Sequence, residues 1–334
     1  MLTLPNYTNM RTSSLLLLFL LVTALAKSQD YAGFNTGNYT GVHAAFFNPA
    51  GIADSRYRWD VNLFSVSTLV LNNQADFSIK DFSTGFDTKK LENKLLGNNS
   101  LPTSALVSAD FHGPSFMFNA GKKTSIALTS RVRVMSRLSN LEGKLWGELL
   151  NSAEDTQYPF TVNSSQNQRI AIHGWSEFGL TWGQVLLQQH KHFLKGGITG
   201  KFLGGAAASG IQLDNIRATI AEDADLEAYL TNTSGRFGMA LAGVSLDDFE
   251  VQELLKFKNS GIGFDVGFVY EYRPDGQHSN REENKYKWRI GLALMDIGKI
   301  NYQPDPARTA SYNLQIGANQ RFYFNELEGV PIDD

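Results

Sequence analysis

The sequence contains no cysteine in 334 residues. That excludes a disulfide framework, a thiolate metal cluster, a thiol nucleophile and the lipidated cysteine of an exported lipoprotein. An excess of one charge is missing too. Thirty basic residues meet 33 acidic ones, and no basic stretch marks a nucleic-acid surface. Nor is there an apolar run long enough for a spanning helix. Leu15 to Ala26 is a run of twelve, broken only by Thr23, well short of the ~20 residues a bilayer crossing needs.

What is present points elsewhere. Glycine is abundant at 30 and aromatics make up 12%, which with low charge favours a β sandwich or barrel. The N-terminus reads as a signal peptide over residues 1–28. Arg11 supplies the positive charge, the run from Leu15 the apolar core, and Ala24-Leu25-Ala26 or Ala26-Lys27-Ser28 the cleavage site.

Beyond residue 57 a period of two dominates. In "GIGFDVGFVYEY", Ile262, Phe264, Val266, Phe268, Tyr270 and Tyr272 share one face, opposite Gly261, Gly263, Asp265, Gly267, Val269 and Glu271. Thr124 to Val134 alternates likewise, and in Tyr286 to Asp296 the apolar Trp288, Ile290, Leu292 and Leu294 oppose Arg289, Gly291, Ala293 and Met295. Strands are predicted over 58–71, 104–119, 124–137, 167–184, 193–208, 259–272, 287–299 and 311–323. The links 120–123, 185–192 and 273–286 are short or moderate, whereas 72–103, 138–166 and 209–258 are long. Outer-membrane barrels show that asymmetry. Within the long links lie helix-like pieces at 140–150 and 223–230 and weaker strand candidates at 75–82, 212–220 and 235–243.

A soluble sandwich would also alternate, with its polar face in water. Here the polar face is mostly glycine with single charges, which suits a crowded polar interior. The other face carries Phe264, Phe268, Tyr270, Tyr272 and Trp288, as a lipid-facing surface with an aromatic girdle would. The predicted fold is therefore an all-β antiparallel transmembrane barrel of about eight strands. Thr129, Arg131, Arg133, Lys195, Lys201 and Arg289 would line its lumen with Glu177, Asp265 and Glu271, as interior ion pairs or as a polar path.

No catalytic constellation stands out. Gly174-Trp175-Ser176-Glu177-Phe178 has Phe where a nucleophile elbow needs glycine. Gly261, Gly263 and Gly267 lack dinucleotide-site spacing. His190-Lys191-His192 reads as a polar turn, and the pairs Asp247-Asp248 and Glu282-Glu283 as solvated loops. Neither enzymatic activity, a cofactor, a metal nor nucleic-acid binding is expected.

One stretch departs from the strand pattern. In "AFFNPAGIAD", Asn48 is a good helix cap, Pro49 a good first helical residue, and Gly51 frees the backbone. The apolar Phe46 and Phe47 just upstream need burial, and the barrel interior is the place for it. Asn48-Pro49-Ala50-Gly51 leading into a strand resembles the N-terminal hatch of FadL-type fatty-acid transporters and PorV-like outer-membrane proteins. With "GIGFDVGFVYEYRPD" and "IGLALMDIGKINY", the run "GVHAAFFNPAGIADSRYRWDVNL" resembles an uncharacterised Bacteroidota outer-membrane barrel family of unknown function. The resemblance implies a plug formed by residues 29–57 ahead of a barrel domain over 58–334. The ending "ELEGVPIDD" reads as a loop, leaving open that further strands complete the barrel. The expected function is a porin-like channel in the bacterial outer membrane for passive uptake of small or hydrophobic molecules. The alternative is a non-transporting barrel that anchors or partners a surface, secretion or motility complex.

Overall fold

Alternating side chains draw the chain from Trp59 onward into antiparallel hairpins. The computed structural model describes residues 37, 39–74, 101–143, 145–146, 158–224, 227–243, 259–274 and 284–323. The signal peptide, the strand candidate at 75–82, the pairs Asp247-Asp248 and Glu282-Glu283, and residues 324–334 lie outside them.

Among the described residues, thirteen strands form one sheet: β1 Trp59–Asn62, β2 Ser65–Asn72, β3 Thr103–His112, β4 Ser115–Asn119, β5 Thr124–Leu141, β6 Phe160–Asn163, β7 Asn167–Gln189, β8 His192–Glu222, β9 Ala228–Gly243, β10 Asn259–Tyr272, β11 Trp288–Ile300, β12 Ala310–Ile316 and β13 Phe322–Tyr323. Their register resolves them into fewer passes. β1 and β2 run on as one strand against β4 and β3. β9 and β10 lie end to end along a single side of β8, and β11 and β12 lie end to end along β10 and β9. With β5, β7 and β8, that makes seven up-and-down passes. The sheet is not closed among the described residues: the β1–β2 pass and the β11–β12 pass each have one neighbouring pass.

The predicted strands are recovered with corrections to their bounds. Segments 58–71 and 104–119 are each broken, the second at Gly113-Pro114, where proline has no N–H to give the ladder. Asn62 bridges that gap, its Nδ2 donating to the Gly113 carbonyl at 3.0 Å. The predicted strand at 311–323 is likewise two pieces. Within the long link 209–258, the weaker strand candidates at 212–220 and 235–243 are strand, in β8 and β9. β8 runs on to Glu222, residues 228–230 of the helix-like piece at 223–230 are the start of β9, and β9 continues to Gly243.

The sheet is strongly curled. Arg133 on β5 reaches Asp296, just inside β11, at 2.7 Å, although three other strands separate β5 from β11 along the sheet order. At ~4.8 Å per strand a flat sheet would hold them nearly 20 Å apart. Along β10 burial alternates residue by residue: Gly263, Asp265, Gly267, Val269 and Glu271 are buried, while Ile262, Phe264 and Phe268 are exposed. The inner face is the polar one.

Residues 41–54 pack on that inner face. Gly41–Phe46 and Pro49–Ile52 are two 3-10 turns, and Asn48 caps the second by accepting from the Ala50 N–H at 3.0 Å. The segment touches β1, β4, β5, β7, β8 and β10. Val42, Ala44, Ala45 and Ile52 meet Met117 and Ala127 in the main apolar cluster, all nearly or fully buried. No helix among the described residues is long and apolar enough to cross a membrane.

Candidate functional site

The inner face carries two groups of charges, and register builds both. On adjacent strands Arg131 lies opposite Glu177, and Asp110 opposite Arg133. Side chains directly opposite in an antiparallel pair are close enough to interact. Arg131 donates to Glu177 from Nη2 at 2.6 Å and from Nε at 3.1 Å. Arg133 donates to Asp110 at 3.1 Å and Asp296 at 2.7 Å. Lys201 reaches Asp265 at 2.8 Å and Asp296 at 2.6 Å. The Trp175 indole N–H donates to Glu177 at 2.7 Å. Three cations thus face four carboxylates in a belt across β3, β5, β7, β8, β10 and β11. Buried charges persist only when paired and hydrogen-bonded in this way.

Asp296 enters the belt through a backbone irregularity. By parity it belongs to the outward row of Leu292 and Leu294. Between Phe264 and Val266 the β10–β11 register shifts, and Asp296 takes φ +59°, which turns its carboxylate inward. Its N–H donates to Asp265 at 2.7 Å.

The second group lies nearer the short turns. Arg273 donates to Glu271 from Nε at 2.9 Å and to Asp54 at 2.9 Å. Its guanidinium stacks on Phe193, 3.4 Å from the ring centroid. Lys195 Nζ donates to the Ala53 carbonyl at 2.7 Å, and Arg289 approaches Glu271 at 3.7 Å. Residues 41–54 are therefore tied to the sheet by polar contacts at both ends. Near the start of the segment the Val42 N–H donates to Asp60 at 2.7 Å. Asn48 reaches the Phe268 and Leu292 carbonyls at 3.2 and 3.3 Å. Burial pushes the Asp54 carboxyl up, but Lys195, Lys285 and Arg273 outweigh it and hold it below its ordinary value. Burial lowers His43, despite its hydrogen bond to Asn62 and the nearby Asp60.

Glycines of the sheet, Gly183 against Ile52 among them, make the docking possible. A Cβ at Gly197 would overlap the Pro49 carbonyl group, and one at Gly267 the Asn48 side chain. A cavity of about 460 Å³ lies between the segment and β8, β10 and β11, lined by Phe47, Lys195, Glu271, Arg273 and Arg289 among others. A much smaller void of about 10 Å³ sits beside Phe46, Thr129 and Asp265.

The residues singled out from the sequence thus fall in several places. Arg131, Arg133, Glu177, Lys201 and Asp265 meet in the belt, and Thr129 borders it. Lys195, Glu271 and Arg289 belong to the separate lower group. Phe46 is 9% exposed, stacked on His112 with centroids 4.2 Å apart, whereas Phe47 is only half-buried. Phe264, Phe268 and Trp288 point outward; Tyr270 and Tyr272 are half-buried around the Trp288 ring. His192 bonds the Tyr270 hydroxyl at 2.6 Å. No group of three or more possible metal-ligating side chains occurs among the described residues.

Asp110, Asp296 and Arg273 were not foreseen. Arg273 simply continues the inward row of Asp265 and Glu271, a signal masked by the turn-like Arg-Pro-Asp-Gly. Asp296 follows a slip of phase at Met295-Asp296-Ile297. Asp110 shares the inward row of Ser108 and His112, opposite the exposed Phe111, an alternation present in the sequence of its strand.

No curated protein sequence matches the chain, and no solved structure does. A family model described as a family of unknown function (DUF5723) matches residues 49–330, from Pro49 of the docked segment past β13. The chain belongs to that family of unknown function, DUF5723.

Proposed function

We propose that the protein is an outer-membrane β-barrel whose lumen is occupied by its own N-terminal segment, and that it acts as a conduit for small solutes when that segment moves. The observation that carries this reading is the height of the exposed apolar side chains. Val61, Phe118, Leu128, Leu180, Ile198, Phe264 and Leu294 all point outward. Paired strand by strand, these representatives of the seven passes fall within about two positions of one another. On β8 the apolar level covers residues 192–203, about the 9–11 residues of a membrane-crossing strand. On β2 and β3 it reaches further along, to Val70, Leu71 and Phe111, an offset that tilted strands produce. Charges point in and hydrocarbon points out, the reverse of a soluble sandwich. Tyr270, Tyr272 and Trp288 sit at its short-turn edge, where an interfacial girdle belongs.

Seven passes leave the first and last running the same way, so an antiparallel cylinder needs one more pass to close. Closure matters because an open sheet edge cannot face lipid. A second reading, a non-transporting anchor for a surface or secretion complex, is favoured by the part of the sheet beyond the apolar level. There β8 residues 207–222 pair with β9, offering a platform outside the bilayer.

Heat-modifiable gel mobility and detergent-dependent extraction are expected, and clean release into buffer would sink the barrel. In liposome swelling, the full chain should pass solute slowly and a variant lacking residues 41–54 faster. Equal rates would remove the gating role and leave the anchor reading.

A further inference from the structure

We propose that the cavity between the N-terminal segment and strands β8, β10 and β11 is a binding site for a small solute bearing a carboxylate or phosphate group. The proposal deepens the conduit reading by naming a solute class, but it rests on the cavity itself. At about 460 Å³ the space falls within the range of small-molecule sites, about 300–1,000 Å³. Its lining includes four cationic side chains, Arg56, Lys195, Arg273 and Arg289, against two carboxylates, Asp54 and Glu271. Both carboxylates are already engaged. Asp54 accepts from Arg273 at 2.9 Å with Lys285 at 3.6 Å, and Glu271 is 2.5 Å from the same arginine. The potential within the cavity is therefore positive.

The walls strengthen that potential. Lys195, Arg273 and Glu271 are at most 4% exposed, so their fields are weakly screened. Arginine offers the planar paired donors that suit carboxylate and phosphate oxygens. Ala44, Phe47, Val269 and Ala293 supply the apolar part of the lining, a surface for the carbon skeleton of a small organic acid beside the charged groups. Asn48 and Gly51 of the docked segment form one wall, so an occupant would touch the segment and the sheet together and bias the docking between them.

The test is calorimetric titration of the full chain in detergent at constant ionic strength, with inorganic phosphate, succinate and glucose as separate probes. Saturable binding of phosphate or succinate is expected, with no heat from glucose; whichever anion binds identifies the group read. Arg289→Gln should weaken binding about tenfold and Arg289→Lys less, while both keep the heat-modifiable mobility of the folded chain. Equal binding of glucose, absence of binding by either anion to the folded protein, or unchanged affinity in an Arg56→Gln/Arg289→Gln double variant would overturn the site. Anion binding without liposome flux supports the site and sinks the conduit. Flux without anion binding does the opposite.

Discussion

At Gly197 the backbone of β8 comes against the backbone of Pro49 and Ala50, and no side chain fits between them. Gly200, three residues on, faces outward with open space where a Cβ would go. One methyl group should therefore act very differently at the two positions. Gly197→Ala is expected to push the segment off the sheet and open residues 41–54 to limited proteolysis. Gly200→Ala should stay within about 0.5 kcal/mol of the parent. The same segment carries a response to acid. His43 titrates below its ordinary value of 6.5 when docked, so protonation favours the released state. Its contribution is complete above pH 6.5 and is lost as pH falls through its docked value. Asp54, also held low, adds a second loss below its ordinary 3.8. Amide exchange in residues 41–54 should accelerate on acidification, and His43→Gln should flatten the part that begins below pH 6.5. An unchanged profile in that variant would remove His43 from the response.

At the scale of the strand, the β10–β11 irregularity brings an aspartate from the outer row into the inner belt. Asn tolerates the left-handed backbone of Asp296, whereas a β-branched residue does not. Asp296→Asn should therefore lose the charge but keep the register, and Asp296→Val should lose both. A melting point lower for the valine variant than for the asparagine one checks the order. Strands were legible wherever large apolar residues alternated with small or charged ones, as along β10. They were illegible where both faces turn small: Gly204 to Gly210 is glycine, alanine and one serine, so β8 seemed to end there. Pairing with β7 on one side and β9 on the other holds that stretch extended, and hydrophobic period cannot register such pairing. The belt was half-legible for a related reason. Arg131 and Glu177 sit on strict inward rows, whereas Asp296 arrives through a slip that parity alone places outside.

For the molecule as a whole, the distribution of apolar area decides the environment it needs. The main buried apolar cluster is small and formed largely by the docked segment, while Ile262, Leu292 and Leu294 stand 73%, 70% and 61% exposed. If lipid covers that level, Leu292→Lys should cost about 2–4 kcal/mol. Urea unfolding in bilayers would show a lowered midpoint, and the same variant in water would be nearly neutral. The in–out polarity of the sheet could be read from the sequence; its seven-pass register could not, because local alternation says nothing of which strands continue one another.

Asn48 meets partners 220 and 244 residues away, whereas most neighbouring passes meet through hairpins close in sequence. Closing a long loop costs more entropy than closing a short one, and distant contacts form late. The passes therefore zip together before Asn48 has anything to grip. The part of the chain made among the first is among the last to be placed. During biogenesis residues 41–54 must stay unfolded, yet close at hand, until β10 and β11 have arrived to receive them.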